Sequence, residues 1–578
     1  MNSYIQKLLN FFYEYYEELL INKIITEINI RQISVDYLSN NKRGDIATNF
    51  YLIIKKKIIN QDYDFENNLT KKLLKIDFIN SFEITNTGFI NFFLKDNFIL
   101  DSLNNIYQKN YEDELKFGNN EKINIEFVSA NPTGPIHVAH LRGAIFGDVL
   151  SNLYKKTGFS VVREYYVNDA GSQIKKLSNS LYKRYIQVLG KKIEFTSDEY
   201  PGEYLIDIAK EIYSTDKNIW LDKEEDEINT YFQKIAVNKI LKEIKSNLKL
   251  INVNFDIFTH ESEIVKSGII NQLFDILKQK NLIYEGILTK PKGDDVHEWE
   301  PRKQLLFRST NINDDQDRAF KKSNGEWTYF ANDAAYHFDK YKRNFNKLIN
   351  VWGSDHIGYI PRMKSIMYAI QDDNDYFQVI TCQIVSLIQN KKKIKMSKRE
   401  GNFITLLDVF NEVGKDPIRY YMISTKNETA IDFDLDEVIK KNKDNKVFYC
   451  QYAFARASSV INKAKELNIK IEKINDIEKF ITNITEEELK IIKLIISYTY
   501  LVYQSCYNNE PYRLVAYLET ICSMFHSLWN KGKDNESFRF LDNKNQDQTK
   551  VKLFWIECFR IIVKDIFSII GIEAPEKM

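Results

Sequence analysis

Two histidines, His137 and His140, lie one helical turn apart directly after the loop Pro132-Thr-Gly-Pro135. Where a loop leads into a helix, free backbone N–H groups and the helix dipole attract an anion. Two imidazoles that face the same way can donate hydrogen bonds to phosphate oxygens, so the pattern predicts a phosphate site. The alternatives are histidines that pack or cap the helix, or a metal pair at i, i+3, and for an isolated pair these are the commoner outcome.

A second candidate is the basic run Lys391–Arg399, a type of segment that is usually a solvated loop. Within it, Lys395-Met-Ser-Lys398 places a Met between the lysines, and Gly401 follows as a flexible joint. A mobile loop with two ammonium groups can hold the β and γ phosphates of ATP as pyrophosphate leaves. The run therefore predicts either a phosphate-binding loop or a solvated surface segment.

The elements that must position these residues form a βαβ unit. A short apolar strand begins at Lys122, a helix is predicted from His137 to Thr157 with Gly158 as its cap, and a second strand runs from Ser160 to Val167. Strand, loop, helix and strand in this order favour a parallel sheet of the doubly wound kind. We expect an α/β fold with a Rossmann-like, nucleotide-binding core.

Further segments complete this plan. A strand entered through a Gly turn is predicted at Thr87–Leu94 in a small N-terminal α+β region, and more core strands are predicted at 327–330, 348–352 and 378–381. The C-terminal region reads as helices only, with starts and stops such as Pro511 and Gly571. The predicted domains are 1–105, 106–171 (first half of the core), 172–310 (an insertion), 311–446 (second half of the core) and 447–578 (helical).

Composition narrows the function classes. The 578 residues include 81 basic and 80 acidic side chains, for a net charge of +1, so any RNA-binding surface must be a local patch. The five cysteines contain no C-x-x-C pair, which supports neither zinc nor a disulfide framework. Charges interrupt every long apolar run, so secretion and a membrane partner are disfavoured and a cytoplasmic location is expected.

Several separated blocks together give the chain a family likeness. They are Gly44-Asp-Ile-Ala-Thr-Asn49, Asn131-Pro-Thr-Gly-Pro-Ile-His-Val-Ala-His-Leu-Arg-Gly143, Tyr166-Val-Asn-Asp-Ala-Gly-Ser-Gln173, Tyr329 to His337, Trp352-Gly-Ser-Asp-His356, Met396-Ser-Lys-Arg-Glu-Gly-Asn402 and the ending Gly571-Ile-Glu-Ala-Pro-Glu-Lys-Met578. With them the chain resembles the arginyl-tRNA synthetases, a family of class I aminoacyl-tRNA synthetases, along most of its length. Ala139 departs from the pattern, because the family usually has Gly there, near the adenine ring.

The resemblance implies an arginine–tRNA ligase that uses ATP with Mg²⁺, no zinc, L-arginine and tRNA(Arg), and we expect a monomer. It implies catalytic roles for His137, His140, Lys395 and Lys398. It also implies an ATP site formed by the following residues: Gly134, Pro135, His137, His140, Gly353, Asp355, His356, Met396, Ser397 and Lys398.

By the same resemblance, a set of polar residues falls at the family's arginine-binding positions: Glu126, Ser129, Asn131, Tyr329, Asp333 and Asp355. A guanidinium is planar and cationic, so bidentate carboxylates complement it. Taken alone, Glu126 reads as an edge-strand charge and Asp333 as a helix cap. If the segment is helical, Tyr329 and Asp333 lie on one face, which favours the joint functional interpretation.

The resemblance also assigns the tRNA-binding regions. The N-terminal domain is expected to contact the tRNA elbow, and the helical C-terminal domain the anticodon. Phe448, Tyr452, Arg456 and residues 525–529 are candidates for stacking on unpaired bases, although aromatics at helical spacing are more often core.

Other functions stay open on the sequence alone. A tRNA-binding paralogue without catalysis, or a synthetase for another amino acid, would keep the same fold. A small nucleotidyltransferase of the same superfamily would have no RNA partner, and the long helical C-terminal region argues against it.

Overall fold

The computed structural model describes residues 4–38, 43–197, 199–288, 301–312, 314–394, 404–440, 442, 444–542 and 544–578. Its strands are β1 (Val35–Tyr37), β2 (Ile46–Thr48), β3 (Ile79–Ile84), β4 (Ile90–Leu94), β5 (Lys122–Glu126), β6 (Ser160–Val167), β7 (Ile257–His260), β8 (Ile283–Gly286), β9 (Gln304–Phe307), β10 (Arg318–Lys321), β11 (Lys347–Gly353), β12 (Phe377–Cys382), β13 (Val385–Gln389), β14 (Lys392–Lys393) and β15 (Ile431–Asp434).

Its helices are α1 (Tyr4–Ile21), α2 (Phe50–Lys55), α3 (Phe65–Leu73), α4 (Asp96–Tyr107), α5 (Tyr111–Glu114), α6 (Val138–Lys156), α7 (Ser172–Val188), α8 (Tyr204–Asp216), α9 (Glu225–Leu250), α10 (Glu261–Ser267), α11 (Ile269–Gln279), α12 (Tyr329–Lys342), α13 (Ile360–Gln371), α14 (Leu406–Val413), α15 (Lys415–Met422), α16 (Leu435–Val438), α17 (Lys446–Glu466), α18 (Ile477–Thr482), α19 (Glu486–Ile496), α20 (Tyr498–Tyr507), α21 (Tyr512–Asp534) and α22 (Gln546–Ile570). Two compact units result: one comprises residues 1–119, 156–158 and 441–578, and the other comprises residues 120–155 and 159–440.

The second unit is built on a parallel sheet with strand order β12-β11-β5-β6-β7. The chain runs outward from β5 to β7 and then returns to place β11 on the other side of β5. The strand order therefore reverses between β5 and β11, where doubly wound sheets bind ligands at their carboxyl ends. This confirms the predicted α/β class. The stretch 172–310 contributes β7 to the sheet, as well as helices.

The predicted elements around the first candidate site are largely confirmed. Strand β6 has the predicted bounds, α6 differs from its predicted bounds by one residue at each end, and Gly158 follows it with φ of +87°. The predicted strands at 348–352 and 378–381 are β11 and β12. The strand predicted at 327–330 is wrong, because the Thr328 hydroxyl accepts a hydrogen bond from the backbone N–H of Ala331 and begins helix α12.

The first unit contains the four-stranded antiparallel sheet β1-β2-β4-β3 and helices α17 to α22. Asp45, only 3% exposed, accepts a hydrogen bond from the Leu94 backbone N–H at 2.8 Å and pairs with Lys493 at 2.7 Å. Pro511 and Gly571 bound helices as predicted, and every regular element among the described residues after 446 is helical. No helix among the described residues is long and apolar enough to cross a membrane.

Close packing of α6 against β5 depends on one glycine. A Cβ built on Gly147 would lie 2.2 Å from Cγ of the buried Phe127, which directly follows β5. At Gly143, one turn earlier in the same helix, a Cβ would meet nothing within 4 Å. The helix therefore approaches the strand closely only because position 147 has no side chain.

We expect Gly147→Ala to destabilise the protein by about 1–3 kcal/mol, because overpacking must displace Phe127. Gly143→Ala is the matched control and should be neutral or stabilising by up to about 1 kcal/mol, the usual helix-interior preference for Ala. Thermal melting of the two variants and the parent measures both effects. Equal melting temperatures for the two variants would contradict this packing argument.

Candidate active site

The loop after β5 has a strained backbone. Val128 and Ser129 have φ of +67° and +39°, a region that β-branched residues rarely adopt. The Ser129 hydroxyl donates to Oε1 of Glu126 at 3.0 Å and accepts from the backbone N–H of Tyr166 at 3.1 Å. These bonds hold Ser129 against the ends of two neighbouring strands, as expected where strain is kept at a functional site.

Glu126, at the end of β5, is 5% exposed and already has a cationic partner. Its Oε2 accepts from Nζ of Lys340 at 2.5 Å and from Nδ2 of Asn350 at 3.1 Å. Lys340 is itself fully buried, and a buried charge of this kind requires such a partner. The Lys340 ammonium thus already balances the charge of Glu126. The predicted contact of Glu126 with the arginine substrate stays a prediction.

A neutral histidine extends this network to α12. The Nδ1 of His337 lies 2.8 Å from the backbone oxygen of Asp333, and its Nε2 lies 2.9 Å from Nδ2 of Asn350. Burial lowers the pKa of His337 to about 4, and the nearby Lys340 adds to this. The neutral ring therefore donates through Nδ1 to the Asp333 backbone oxygen and accepts through Nε2 from Asn350, which ties α12 to β11.

Asp333 is the one carboxylate of this network whose charge is poorly compensated. The Tyr359 hydroxyl donates to its Oδ2 at 2.6 Å. Burial raises the pKa of Asp333 to about 7, the Glu261 and Glu126 carboxylates add to the rise, and the Tyr359 hydrogen bond and His356 oppose it. The Asp333 carboxyl is thus buried near the Glu261 and Glu126 carboxylates; we call these surroundings the acidic recess, and a cationic ligand would stabilise them. Tyr329 begins the same helix and is 71% exposed.

The two predicted histidines lie at the start of α6. Their ring centroids are 4.1 Å apart, and the backbone N–H of His137 lies 3.4 Å from Nδ1 of His140. Ala139, between them, is exposed. In the preceding loop, the Tyr204 hydroxyl donates to the Thr133 backbone oxygen.

That tyrosine also covers the glycine of the loop. A Cβ on Gly134 would lie 3.4 Å from the Tyr204 hydroxyl oxygen, and Pro135, next in the loop, is half-buried. Helix α8, from the stretch predicted to be an insertion, thus supports the loop that precedes the histidines.

The lysine-rich candidates Lys395, Met396, Ser397 and Lys398 lie outside the described residues. The segment that follows them contacts the histidine motif directly. The Val138 backbone N–H donates to the Ile404 oxygen at 3.3 Å, and the Leu406 N–H donates to the Ile136 oxygen at 2.8 Å. This pairing fixes the residues that follow the lysine motif beside the start of α6.

The remaining predicted residues lie at strand ends. Asp355 and His356, directly after β11, are both exposed, with Oδ2 and Nε2 3.5 Å apart. Gly353 precedes them, and a Cβ there would lie 2.3 Å from Oδ1 of Asp355. The exposed Asn131 donates through Nδ2 to Oε1 of Gln173 at 2.9 Å. Asn131 and Asp355 thus follow the carboxyl ends of β5 and β11, the two strands between which the strand order reverses.

Two chemistries therefore belong to elements of one sheet, since β5 and β11 are neighbouring strands. The recess around Asp333 suits a cation, and the helix start with His137 and His140 suits phosphate. No group of three or more His, Cys, Asp and Glu side chains suited to a metal ion occurs in the part of the chain that the structure describes.

In the helical C-terminal region, Arg456 lies between two rings. Its guanidinium carbon is 4.2 Å from the Tyr452 ring centroid and 5.1 Å from the Trp529 centroid, and Nη1 lies 3.0 Å from Nδ1 of His526. Phe525 is fully buried and stacks on Phe559 with centroids 4.7 Å apart, so it belongs to the core.

Comparison with known proteins decides the family. The chain matches the model of the arginyl tRNA synthetase N terminal domain over residues 17–94 and the catalytic domain of class I tRNA synthetases (R) over residues 102–443. It matches the DALR anticodon binding domain over residues 450–578. The catalytic model alone spans more than half of the chain. The chain belongs to the arginyl-tRNA synthetase family.

Individual relatives match this chain over nearly its full length. The arginine–tRNA ligase of Wolbachia sp. subsp. Brugia malayi is 40% identical over 557 residues, which are 95% of this chain and 96% of the relative. That of Orientia tsutsugamushi (strain Boryong) is 40% identical over 542 residues, 92% and 91% of the two chains. The solved arginyl-tRNA synthetase of Plasmodium falciparum covers 99% of each chain with TM-score 0.71 and 17% identity, and so shows the shared fold.

Sequence reasoning missed four residues that hold the carboxylates of the candidate site in place, namely His337, Lys340, Asn350 and Tyr359. One signal was present, because Asp333, His337 and Lys340 recur at i, i+4 and i+7 and so define one helical face. Their partners on β5 and β11 are distant in sequence. Glu126 and Lys340 are separated by 214 positions, which no local pattern reveals.

We expect Asp333→Asn to stabilise the protein at pH 8 but hardly at pH 4. The folded state binds the Asp333 proton more tightly than the unfolded chain, so parent stability falls as pH rises from about 4 to about 7, and the variant lacks this loss. The gain in the free energy of unfolding at pH 8 should be about 1–3 kcal/mol. A rise of the Asp333 pKa from about 4 to about 7 corresponds to ~4 kcal/mol, and partial solvation of the site makes the gain smaller.

Asp317→Asn is the matched control, since a tyrosine, Tyr284, also donates to Asp317, at 2.7 Å. Burial alone would raise the pKa of Asp317, but hydrogen bonds from Thr310 and Tyr284 lower it. Its replacement should therefore reduce stability at pH 8. Melting temperatures across pH measure both variants, and an Asp333→Asn protein that is less stable than the parent at pH 8 would contradict the argument.

Proposed function

We propose that this chain is an arginine–tRNA ligase. In the first step the carboxylate of L-arginine attacks the α-phosphate of ATP, which forms arginyl adenylate and releases pyrophosphate. In the second, a ribose hydroxyl of the terminal adenosine of tRNA(Arg) attacks the arginyl carbonyl carbon, and AMP leaves. The observation that carries the proposal is the acidic recess around Asp333 beside a phosphate-type helix start, in a chain that matches the family over nearly its full length.

The first step requires no general base, because the arginine carboxylate is already ionised at neutral pH. Catalysis then depends on positioning and on stabilising charge at the phosphates. We assign His137 and His140 to the α-phosphate and Lys395 and Lys398 to the departing pyrophosphate. The pairing of Val138 with Ile404 supports this assignment, because it holds the residues after the lysine motif next to the histidines.

Arginine recognition is assigned to the recess. The guanidinium would pair with Asp333 and lower its pKa, because an adjacent cation favours the charged carboxylate. Tyr329 and Glu126 complete the side-chain site in this proposal, Glu126 through the charge that it shares with Lys340. Ser129, Asn131 and Asp355 are assigned to the arginine backbone, near the ends of β5 and β11.

The nucleotide would lie across the carboxyl ends of the same strands. Its binding residues in this proposal are Gly134, Pro135, His137, His140, Gly353, Asp355, His356, Met396, Ser397 and Lys398. Mg²⁺ would enter with ATP, since this ion usually keeps several waters and is held mainly by substrate phosphates, where it neutralises their charge. The exposed carboxylate of Asp355 is compatible with that type of coordination.

The flanking regions are assigned to tRNA. The N-terminal domain would contact the elbow and the helical C-terminal domain the anticodon, where the rings of Tyr452 and Trp529 beside Arg456 offer stacking surfaces. We propose that the protein acts as a monomer in the cytoplasm.

Exchange of pyrophosphate into ATP tests the activity. We expect exchange with arginine and with no other amino acid, and weak or no exchange without tRNA(Arg), as the family likeness implies. The assay compares all amino acids with and without the tRNA. Strong exchange with lysine under conditions where arginine gives none would overturn the assignment, and tRNA binding without any exchange would favour a paralogue that has lost catalysis.

Asp333→Asn tests the substrate. The change keeps the shape but removes a charge, so it should lower kcat/KM for arginine by roughly 30- to several-thousand-fold, the effect of truncating one side of a buried charge pair by about 2–5 kcal/mol. Neutral citrulline should lose far less, while KM for ATP changes little. Asp317→Asn is the control, and an unaltered arginine-to-citrulline ratio in Asp333→Asn would place the pocket elsewhere.

A further inference from the structure

The two oxygens of the Asp333 carboxylate have different surroundings. Oδ2 accepts the Tyr359 hydroxyl at 2.6 Å, whereas among the residues that the structure describes none donates a hydrogen bond to Oδ1. A carboxylate has room for several donors, and a guanidinium offers paired N–H groups. The asymmetry leaves Oδ1 for a ligand and assigns Oδ2 to the protein.

Tyr359 is held firmly enough to fix that carboxylate. Its ring lies 6.0 Å from the Trp352 ring, and the guanidinium carbon of Arg362 lies 4.8 Å from its centroid. Burial raises the pKa of Tyr359 well above the usual value, with the Asp333 charge adding to this. The hydroxyl therefore keeps its proton at neutral pH and acts as a permanent donor to Asp333.

We propose that Tyr359 is a positioning residue for arginine recognition: its hydroxyl holds Oδ2 of Asp333, leaves Oδ1 to the guanidinium, and favours the charged carboxylate that the guanidinium needs. The inference rests on the proposed function, because it assigns arginine to this recess. Tyr359 acts through Asp333 and does not contact the reacting atoms.

The groups facing Asp333 act in opposite directions on its ionisation. Burial opposes the charged form, as do the carboxylates of Glu261 from α10 and Glu126 from β5, whereas the hydrogen bond from Tyr359 and the charge of His356 favour it. The Tyr166 hydroxyl, from β6, also interacts with the charge of Asp333. Tyr359 and Glu261 are thus a natural pair of opposing variants.

This opposition predicts a pH signature. With the pKa of Asp333 at about 7, arginine capture should weaken as pH falls below that value, by up to about tenfold per pH unit. The kcat/KM profile for arginine should therefore have an acidic limb, in which kcat/KM falls with pH. Loss of the Tyr359 hydroxyl should move this limb to higher pH. Loss of the Glu261 charge should move it to lower pH.

The test measures kcat/KM for arginine in pyrophosphate exchange, with tRNA(Arg) present, from about pH 5.5 to about pH 9. For Tyr359→Phe we expect about a tenfold loss near pH 6.5 that shrinks to about threefold or less near pH 9, as expected for a shifted titration. KM for ATP should stay unchanged. Tyr284→Phe is the matched control, because it also removes a tyrosine hydroxyl from an aspartate, Asp317, at 2.7 Å.

Two further variants serve as controls for this interpretation. Glu261→Gln should move the limb to lower pH, which separates a titration effect from general damage to the fold. In an Asp333→Asn background, adding Tyr359→Phe should change little, because the residue through which Tyr359 acts is already altered.

The outcomes are distinct. A Tyr359→Phe profile that coincides with that of Tyr284→Phe, or an equal loss at every pH, overturns the positioning role while arginine remains the substrate. If the parent protein shows no exchange with arginine at any pH, the proposed function itself fails.

Discussion

The ion pair between Lys340 and Glu126 is the contact on which the site depends. It joins the end of β5 to the end of α12, and Asn350 on β11 donates to the same carboxylate oxygen. Three elements thus meet through one buried charge pair at the switch point of the sheet. Removing one partner of such a pair usually costs about 3–5 kcal/mol, because the other charge is left stranded. That penalty keeps the walls of the recess in one arrangement.

The buried contacts of Glu126, Lys340 and Asn350 hold the site rigidly. This rigidity allows the Asp333 carboxyl to stay in an electrostatically unfavourable environment. His337, neutral and bonded at both nitrogens, transmits the arrangement to the backbone of Asp333, whose own carboxyl has a pKa raised to about 7. The strained φ angles of Val128 and Ser129 are a second cost at the same place. Functional sites commonly sacrifice stability in this way, and the bound cation would recover part of it.

Local sequence signals determined what could be predicted. The βαβ unit was read correctly because apolar spacing, the Pro-Gly loop and Gly158 all indicate the same elements. The segment at Trp327 was misread because its aromatic residues suggest a strand, whereas the Thr328 cap decides for a helix. The support of Asp333 was missed because its partners lie on distant strands, and a lysine or histidine on a helix usually indicates a solvated face. Family likeness supplied candidate residues, but not which of them already have partners.

The order of residues along β5 and its loop explains how two different chemistries come together. Glu126 ends the strand beside the acidic recess, and the same connection continues through Ser129 and the Pro132-Thr-Gly-Pro135 turn to His137 at the start of α6. In the proposed function, a guanidinium paired with Asp333 would leave the amino-acid carboxylate for the phosphate-binding residues that follow β5. The return of the chain at Ile404 to pair with Val138 brings the segment after the lysine motif to that same side. In the proposed function, arginine recognition and phosphate binding would thus be coupled through one strand end, since a shift of β5 would move both Glu126 and the loop that leads to His137.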